Sequence, residues 1–566
     1  MNENEKPRIG VFVCHCGVNI GGVVSVPEVV EYAKTLPNVA YAEGNLYTCS
    51  SEGLSKIKEA IAKFHLNKVV VASCTPRTHE PLFRSACEEA GLNKYLFHMA
   101  NIREHCSWVH PKDLKKATEK AEEIVRMAVA KAALLEPQTE PEIDVLPVAL
   151  VIGGGVSGIT AALSLANQKF IVHLIEKENE IGGKLKELYT LYPNNDSASK
   201  IREEFVRAAC SNVNIKVHTS STMKRIEGFI GNFKVTIDHE GKEETLDIGT
   251  IIVATGADVL KPHGLYCYGE SKNVLTQLEL ERIMKEGRLG RPKNVVMIQC
   301  AGAREEKEVG RNYCSRICCA VAVKNALQIK ELSPEAEVYI LYRDMQTYGK
   351  DFEEQYRKAR ENSVQFIRYD IENSPEVFSR PDGKLTVRVY DIMLNATLEL
   401  DSDLLILSTP LIQSEDTEEL SKILKVPLGS DGFFFEAHVK LRPVDFATDG
   451  IFVCGTAHSP KTIPESIAQA YATASRAGIP MALRRVRTEA ITASVNEDLC
   501  TGCGTCIRLC PYNAIRKDEQ GIARVNDVLC KGCGVCSASC PEKAIKMKHF
   551  SDAQVLAEAT AALGGK

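Results

Sequence analysis

The sequence predicts a multidomain α/β protein that ends in a small α+β domain, and three observations support this prediction. First, the chain has 566 residues, which exceeds a single hydrophobic core and fits about three or four domains. Second, apolar runs alternate with segments of helical period over most of the chain, as in parallel sheets connected by helices. Third, a four-cysteine motif occurs twice near the C-terminus, and each copy ends in Cys-Pro.

The composition narrows the class of protein. With 44% hydrophobic and 25% charged residues the chain is ordinary for a globular protein, and its formal net charge of −5 argues against nucleic acid as a partner. Its polar N-terminal residues and the lack of a long apolar run argue against a secretory signal and a membrane span, so we expect a cytoplasmic protein. Because cytoplasmic thiols stay reduced, the 21 cysteines indicate metal ligands rather than disulfides.

In the N-terminal region, from about Arg8 to Cys106, four apolar runs each lead to a cysteine. Helical patterns separate most of these runs, which predicts a Rossmann-like open parallel sheet. Because the carboxyl ends of parallel strands share one edge of a sheet, we expect the cysteines to converge as a four-thiolate iron–sulfur site. The predicted ligands are Cys14 or Cys16, with the choice left open, and Cys49, Cys74 and Cys106.

A glycine-rich turn follows the apolar run Val148–Ile152, and after it come a helical segment and a second apolar run that ends on Glu176. Such a strand, turn, helix and strand form the unit that binds dinucleotides. In the Gly-x-Gly-x-x-Gly pattern the first glycine permits the turn, the second lets the backbone approach a pyrophosphate, and the third lets the helix pack on the sheet. The glycines are Gly153, Gly155 and Gly158, and Glu176 is the candidate acceptor for ribose hydroxyls.

A second α/β unit begins with the strand Val295–Ile298, where a pyridine-nucleotide enzyme of this architecture would carry another glycine-rich turn. The sequence has no such pattern there, and four cysteines surround the end of the strand and the start of the next helix. Thiolates at this position predict a second iron–sulfur cluster in the place of a nicotinamide cofactor's pyrophosphate. The predicted ligands are Cys300, Cys314, Cys318 and Cys319.

The repeated C-terminal motif has the spacing Cys-x2-Cys-x2-Cys-x3-Cys-Pro of two-cluster bacterial ferredoxins. In that arrangement the fourth cysteine of each copy ligates the cluster of the other copy. A pair of zinc sites is disfavoured, because it would leave cysteines unused. One predicted cluster takes Cys500, Cys503, Cys506 and Cys540, and the other takes Cys530, Cys533, Cys536 and Cys510.

Three stretches after the first glycine-rich turn resemble the later FAD contacts of flavoproteins with two dinucleotide-binding domains. The resemblance implies that the first site holds FAD rather than NAD, in a pair of domains like those of thioredoxin reductase. The acidic residue that usually follows the last of these glycines is replaced here by Thr456, which weakens one contact. The implied FAD residues are Gly182, Gly183 and Lys184, Thr255 and Gly256 in "IIVATGA", and Gly455 and Thr456 in "GIFVCGTAHSPKTIPESIAQA".

Lys324 lies in an otherwise apolar helical segment, "CCAVAVKNALQI". A lysine in such a place is usually a surface residue whose ammonium group reaches water. Beside a flavin ring it would instead donate a hydrogen bond and stabilise the reduced anion, with Glu270 as the candidate carboxylate partner.

The combined motifs resemble the A subunit of heterodisulfide reductase (HdrA) and its bacterial relatives over nearly the full length of the chain. The resemblance implies FAD, about four [4Fe-4S] clusters and flavin-based electron bifurcation between ferredoxin and a higher-potential acceptor. It also implies that Lys324 and Glu270 lie near the flavin ring. Many archaeal members carry a further ferredoxin module inserted in the FAD domain, but "GNFKVTIDHEGKEET" runs straight on here, as in a shorter bacterial form. The stretches that carry the resemblance include "GVFVCHCGVNI", "VVVASCTPRTHEPLF", "NIREHCSWVH", "QCAGAR" and "NYCSRICC".

The implied partners are heterodisulfide reductase B- and C-like subunits, ferredoxin, and an electron-input subunit of the hydrogenase, formate dehydrogenase or NADH-dependent type. A homodimer within a larger complex is also expected. Two other functions remain open, namely a passive flavin and iron–sulfur relay without bifurcation, and an NAD(P)H-dependent reductase. Crossed one-electron potentials of the flavin would favour bifurcation over the relay, and bleaching of the flavin by NADH would favour the reductase.

The motifs and a proline-rich linker divide the chain into predicted domains. These are an N-terminal α/β iron–sulfur domain (1–111), a helix and linker (112–147), the first part of the FAD domain (148–290), a second α/β domain with a cluster (291–400), the second part of the FAD domain (401–488), a two-cluster ferredoxin domain (489–550) and a C-terminal helix (551–566).

Overall fold

The computed structural model describes residues 6–305 and 311–564, except for the side chain of Thr78. The polar residues before Lys6 and the last two residues of the predicted C-terminal segment lie outside the described residues. The chain forms two compact units, Met1–Glu142 with Arg487–Lys566, and Ile143–Val486. Parallel sheets crossed by helices occur in both units, which confirms the predicted α/β class.

The N-terminal part of the first unit is a four-stranded parallel sheet. Its strands are β1 (Ile9–Cys14), β2 (Val39–Asn45), β3 (Lys68–Ser73) and β4 (Phe97–Asn101), and its helices are α1 (Val18–Gly21), α2 (Val26–Thr35), α3 (Ser51–Phe64), α4 (Pro76–Glu89) and α5 (Leu114–Ala133). The strand order is β2-β1-β3-β4, and β1 is buried along its whole length because it lies inside the sheet. A π-helical turn, Arg103–Ser107, follows β4.

The second unit contains two parallel five-stranded sheets and several small antiparallel ones. Its strands are β5 (Glu142–Asp144), β6 (Val148–Ile152), β7 (Ile171–Ile175), β8 (Thr190–Leu191), β9 (Asp196–Ser197), β10 (Ile215–His218), β11 (Ser221–Phe229), β12 (Asn232–His239), β13 (Lys242–Ile248), β14 (Thr250–Val253), β15 (Ala257–Val259), β16 (Val274–Thr276), β17 (Asn294–Ile298), β18 (Glu337–Tyr342), β19 (Gln365–Arg368), β20 (Glu376–Ser379), β21 (Leu385–Asp391), β22 (Ala396–Ser402), β23 (Leu404–Leu407), β24 (Leu411–Gln413) and β25 (Ile451–Val453). Its helices are α6 (Val156–Asn167), α7 (Ala198–Ser211), α8 (Gln277–Lys285), α9 (Cys318–Leu332), α10 (Lys350–Glu361), α11 (Thr417–Leu424) and α12 (Ile463–Leu483).

The first five-stranded sheet has the order β10-β7-β6-β14-β25 and is parallel throughout. Helices α6 and α12 pack on one face, where Val151 of β6 shares a core with Ile159 and Ala474. The antiparallel meander β11-β12-β13 covers the other face, where Leu150 meets Val235. The strand β6, the turn after it and α6 therefore form the dinucleotide-binding unit that the sequence predicts.

The second five-stranded sheet has the order β16-β23-β17-β18-β19 and is also parallel. Helix α9 connects β17 to β18 and buries Ala322 and Ala326 against Val295 of β17. The antiparallel sheet β20-β21-β22 covers the opposite face, where Val387 meets Val296. The end of β17 and the start of α9 thus lie where a second nucleotide would bind in a doubly wound fold.

The C-terminal part of the first unit is a small α+β module. Strand β26 (Arg485–Arg487) contains the sequence boundary between the two units. The strands of the module are β27 (Ala493–Val495), β28 (Ile515–Lys517), β29 (Ala523–Val525) and β30 (Ile545–Met547), and its helices are α13 (Thr505–Leu509), α14 (Val535–Ala538) and α15 (Asp552–Ala562). Strand β27 pairs with β30 and β28 pairs with β29, both antiparallel, as expected of two related halves.

Helix α15 begins with a capping box formed by Ser551 and Gln554 and packs against α5 of the same unit. The Gln554 side chain donates to the Leu134 carbonyl at 2.9 Å, and Arg126 donates to the Ala561 carbonyl at 2.8 Å. These contacts tie the two sequence segments of the first unit together. Among the helices of the described residues, none has both the length and the apolar character needed to cross a membrane.

Candidate functional site

The turn between β6 and α6 has the backbone geometry that binds a pyrophosphate. Gly153 has a φ of 108°, and a Cβ at this residue would lie 2.4 Å from the Ala254 carbonyl oxygen. A Cβ on Gly158 would lie 1.8 Å from the Gly153 carbonyl oxygen, so α6 can approach the turn only with glycine there. Gly155 caps the helix, whose N-terminal N–H groups attract anions.

Glu176 is buried at the end of the second strand of this unit. Its Oε2 accepts a hydrogen bond from the Gly154 N–H at 2.7 Å, and its Oε1 accepts one from the Glu178 N–H at 3.0 Å. A carboxylate oxygen has more than one lone pair, so both oxygens keep capacity for ribose hydroxyls. Glu176 therefore holds the turn in shape and remains suited to its predicted role.

Open space and unpaired polar atoms beside this turn fit a bound dinucleotide. A Cβ on Gly155 would meet only the Cα of Gly183, at 3.9 Å, and one on Gly256 would meet only the Oγ1 of Thr456, at 3.8 Å. The buried hydroxyl of Thr255 has no hydrogen-bond partner among the described residues. Gly155, Gly183, Thr255, Gly256 and Thr456 therefore border a backbone cradle with polar atoms left for a ligand.

Other predicted FAD residues have protein partners at the rim of the cradle. The Lys184 ammonium lies 3.0 Å from the Asp258 carboxylate, and Gly182 adopts a φ of 123°. The Gly455 N–H donates to Gln469 at 2.9 Å, and a Cβ on Gly455 would lie 2.2 Å from the Ser157 Oγ. Glycine at this position lets the chain come close to α6.

Lys324 pairs with Glu281, so Glu270 as its predicted partner is wrong. The side chains of Lys324 and Glu281 are 3% and 1% exposed and form a direct ion pair. Lys324 also donates to the Thr190 carbonyl at 2.9 Å, and Glu281 accepts from the Tyr189 N–H at 2.9 Å. Burial lowers the pKa of Lys324 and Glu281 opposes that shift.

Glu270 is exposed in a turn because the chain reverses at Cys267 before it reaches α8. The signal that sequence reasoning missed is the position of Glu281 on the buried face of α8, between Leu280 and Met284. A carboxylate on such a face requires a buried partner.

The four predicted cysteines of the second α/β region are neighbours at the junction of β17 and α9. Burial raises the pKa of Cys319 to about 12, and the neighbouring thiols of Cys300 and Cys314 also raise it. The thiol of Cys318 has the same two neighbours, and burial raises its pKa well above the ordinary value. Metal binding would overcome these shifts, since a coordinated thiol is deprotonated.

Unpaired polar groups beside these cysteines fit a bound cluster. The buried amide of Gln299 and the buried hydroxyl of Thr409 have no hydrogen-bond partner among the described residues. The Thr409 carbonyl accepts from the Cys318 thiol at 3.6 Å, which places Thr409 at the group. Arg304 donates to Asp344 at 2.8 Å, and its charge lowers the pKa of Cys319. A sulfide-bearing group would find hydrogen-bond donors here.

At the N-terminal site Cys49 and Cys74 have Cys14 and Cys16 as neighbours, and Cys106 is not among the neighbours of either. Burial raises the pKa of Cys49, and Cys14 and Cys16 contribute as neighbours. Burial also raises the pKa of Cys74, which has Cys16, Cys14 and Cys49 around it. Both of the cysteines between which the sequence left a choice therefore belong to the group, and Cys16 reaches it with a φ of 47°.

Cys106 lies in the π-helical turn after β4, and its role as a ligand of this group remains a prediction. Burial raises its pKa to about 12, and its charged neighbours are Lys120 and Glu123 of α5. Arg103 of the same turn instead faces the group, with its Nη1 4.0 Å from the Cys16 Sγ and its charge lowering the pKa of Cys74. A cation beside thiolates offsets part of their charge.

Two pockets in the C-terminal module are lined by the two predicted sets of cysteines. One pocket brings Cys540 to the first motif, and the other brings Cys510 to the second motif, so the crossed pattern is present in the fold. Backbone N–H groups point at sulfur, from Ala493 to Cys530 at 3.5 Å and from Ala514 to Cys510 at 3.3 Å. The first pocket is lined by Cys500, Cys503, Cys506 and Cys540, and the second by Cys510, Cys530, Cys533 and Cys536.

Thiols of this module differ in acidity. The N–H and hydroxyl of Thr505 lower the pKa of Cys503, whereas burial raises the pKa of Cys536 to about 11.

Within the described residues no three His, Cys, Asp or Glu side chains converge on the position of a single metal ion.

Known proteins match the chain over most of its length. A family model described as pyridine nucleotide-disulphide oxidoreductase matches residues 148–474, and one described as a 4Fe-4S dicluster domain matches residues 493–547. Thioredoxin reductase of Lactococcus lactis is 18% identical, with a TM-score of 0.43, over 59% of this chain and 99% of that chain.

Two curated relatives are similar over nearly their full length. The A subunit of H(2):CoB-CoM heterodisulfide,ferredoxin reductase from Methanothermobacter marburgensis is 41% identical over 649 residues, which cover 99% of this chain and 98% of that protein. The A subunit of H(2)/formate:CoB-CoM heterodisulfide,ferredoxin reductase from Methanococcus maripaludis is 37% identical over 607 residues, with 91% of each covered. The chain belongs to the family of heterodisulfide reductase A subunits, as an oxidoreductase with an FAD-binding domain and a C-terminal domain for two [4Fe-4S] clusters.

Proposed function

We propose that this chain is the flavin and iron–sulfur subunit of a cytoplasmic heterodisulfide-reductase-type complex that divides electron pairs between ferredoxin and a higher-potential acceptor. The names of the two relatives support this proposal, because they describe reductases of a heterodisulfide and of ferredoxin that use hydrogen or formate. We include B- and C-like subunits, ferredoxin and an input subunit of the hydrogenase, formate dehydrogenase or NADH-dependent type among the partners, and a homodimer within the complex.

The cysteine group at the junction of β17 and α9 carries the proposal. In a nicotinamide-dependent flavoprotein the N-terminus of this helix faces a pyrophosphate. Here Cys318 and Cys319 stand in its first turn, and Cys300 follows β17 directly. We infer that this region exchanges single electrons with a metal cluster and not hydride with a nicotinamide. FAD, when bound, supplies both one-electron and two-electron chemistry, whereas each cluster carries one electron.

We propose four cubane sites in the chain, one at each group of four cysteines. The buried or backbone-bonded sulfurs of each group support this count, as do the unpaired polar atoms beside Cys300. Among the FAD residues we retain all of the predicted positions, since several of them border one cradle.

Lys324 and Glu281 are our candidates for the residues beside the flavin ring. Lys324 has its ammonium held by a carboxylate and a backbone carbonyl, and this fixes its position. A held ammonium would donate to the ring and stabilise negative charge there, and Glu281 would act as a positioning residue. Glu270 has no such support, because it is exposed in a turn.

We also propose that the chain is the shorter form without the inserted ferredoxin module. The alignment with the Methanothermobacter marburgensis protein spans 649 residues, whereas this chain has 566, so the relative carries residues without a counterpart here. The continuous pairing of β12 with β13 through "GNFKVTIDHEGKEET" supports this as well.

The isolated chain and the complex together test the proposed function. The two one-electron reduction potentials of the flavin, measured by redox titration, should be strongly crossed, and NADH should not bleach the flavin of the isolated chain. In the complex, ferredoxin reduction should require the high-potential acceptor. Potentials in normal order would support the passive relay, and fast bleaching by NADH would support the reductase.

A further inference from the structure

The openings of the two C-terminal pockets carry different side chains. The opening of the first pocket, which we call the Cys500 mouth, includes the exposed ligand Cys503 and the cationic side chains of Arg508 and Lys517. The second pocket is lined by Tyr512 and Val535, which are 39% and 40% exposed, and by the half-buried Lys531. It thus has one half-buried lysine, whereas the first has an exposed lysine with an exposed arginine beside it. The two halves of the module have related backbones, so this difference lies in the side chains.

Arg508 and Lys517 reach the Cys500 mouth from different elements and meet over the same backbone turn. A Cβ placed on Gly504 would lie 3.9 Å from the Arg508 Nη1 and 3.9 Å from the Lys517 Nζ. Lys517 lines the first pocket and shares a face of β28 with the buried Ile515. Arg508 is at the end of α13 and donates to the Thr505 hydroxyl at 3.3 Å.

Neither cation at this mouth is neutralised within the described part of the chain. Among the described residues, neither Arg508 nor Lys517 forms an ion pair, although both are exposed and many other surface cations of the chain do. Glu542 is the single carboxylate that lines the pocket. Two like charges held together repel each other unless an anion lies nearby. A negatively charged thiolate-bound cluster below and an acidic surface above would both supply that anion.

We propose that the Cys500 mouth is the docking surface for an acidic protein that carries single electrons, and that Arg508 and Lys517 attract it. This inference rests on the proposed function, of which it specifies the place of exchange. Docking there brings the carrier against the exposed ligand Cys503. The transfer moves one electron between the cluster and the carrier and forms or breaks no bond.

Titration of the full chain with a purified acidic ferredoxin tests the proposal through the dissociation constant. At low ionic strength Lys517→Glu should raise the Kd about tenfold, and the Arg508→Glu/Lys517→Glu double variant about a hundredfold. Both differences should largely vanish at about 1 M salt, where the Debye length is about 3 Å. Lys517→Arg should keep the wild-type Kd, because it retains the charge.

Lys546→Glu is the matched control, since Lys546 is an exposed lysine of β30 that lines neither pocket. It should change the Kd by less than about twofold. An equal effect of Lys546→Glu, or no effect of the Arg508 and Lys517 variants, would overturn the proposal. If Lys517→Glu loses iron, Lys517→Gln replaces it, with an expected increase of about threefold in Kd and the same reading of the outcomes.

This experiment is separable from that on the proposed function. A complex that reduces ferredoxin without the high-potential acceptor would refute bifurcation while leaving the Kd pattern unchanged. A Kd pattern without the Arg508 and Lys517 effects would refute this docking surface while leaving coupled ferredoxin reduction intact.

Discussion

The N-terminal and C-terminal cysteine groups use the same side chain but are assembled in different ways. The N-terminal group draws Cys14 and Cys74 from the ends of β1 and β3 and Cys49 from the turn after β2, and the buried sheet positions them. The C-terminal groups draw their cysteines from short loops and one-turn helices, and Cys503 and Cys533 are exposed. A group made by tertiary packing should therefore depend on the fold of its whole domain, and one made by local loops on its own ligands.

The largest expected effect comes from removing one thiol of the N-terminal group. Cys74→Ser should lose about four iron atoms per chain and destabilise the N-terminal domain, because a metal site bound only in the folded state stabilises that state. Iron analysis and urea denaturation of the anaerobic protein measure both quantities. Cys106→Ser is the matched control, since Cys106 is also buried but has Lys120 and Glu123 as its charged neighbours, and we expect it to keep all of the iron. Loss of iron in Cys106→Ser would return that residue to the ligand set.

A smaller effect, confined to one cluster, is expected at the crossed ligand of the C-terminal module. Cys540→Ser should disrupt the cluster of Cys500, Cys503 and Cys506 and spare the other, whereas Cys510→Ser should do the opposite. Electron paramagnetic resonance of the reduced protein distinguishes the two clusters by their spectra. If both variants lost the same cluster, the crossed assignment would fail. Stability of the N-terminal domain should not change in either variant.

The sequence predicts residues placed by a local motif better than residues placed by tertiary packing. Gly153 and Gly158 lie in the turn that their motif predicts. Cys500 and Cys540, from the two copies of the repeated motif, line the same pocket, as the motif predicts. Motif spacing does not determine the direction of a side chain after a strand. Cys106 follows β4 as expected, but a π-helical turn rotates it toward α5.

The same limit explains the partner of Lys324. Glu270 precedes α8 and Glu281 lies within it, and only the packing of α8 against α9 decides which carboxylate meets the lysine. The choice between Cys14 and Cys16 was also beyond the sequence, because both are neighbours of Cys49 and Cys74, with Cys16 in the left-handed region.

The ion pair of Lys324 and Glu281 extends the comparison to a site made by packing without a cluster. Lys324→Met should lower the free energy of unfolding of the second unit by about 3–5 kcal/mol, because it leaves a buried carboxylate unpaired. The Lys324→Met/Glu281→Leu double variant should recover most of that loss, since it removes both charges. Glu270→Gln should change the value by less than about 0.5 kcal/mol. Urea titration followed by flavin release measures these free energies. If the losses of the two single substitutions simply added in the double variant, the ion pair would be contradicted.

The smallest effect on stability is expected from a change in pH, which acts on the histidine pair His173 and His218. His173 lies 3.0 Å from His218 on neighbouring strands, and burial, with His218 and Lys216 as further causes, lowers the pKa of His173 from 6.5 to about 4. Between pH 6.5 and about 4, His173 is therefore protonated in the unfolded chain and neutral in the folded chain. Stability of the second unit should fall as pH drops from about 6.5 to about 4, and His173→Gln should flatten that fall by about 1–2 kcal/mol. An unchanged slope in His173→Gln would assign the acid sensitivity to other groups.

The iron content of the anaerobically purified chain, expressed per FAD, tests the central claim most directly. Four groups of four cysteines, two made by packing and two by local loops, predict about 16 iron atoms per FAD. A value near eight would show that only the C-terminal module holds clusters, and would contradict the assignment of Cys14, Cys300 and their neighbours as ligands.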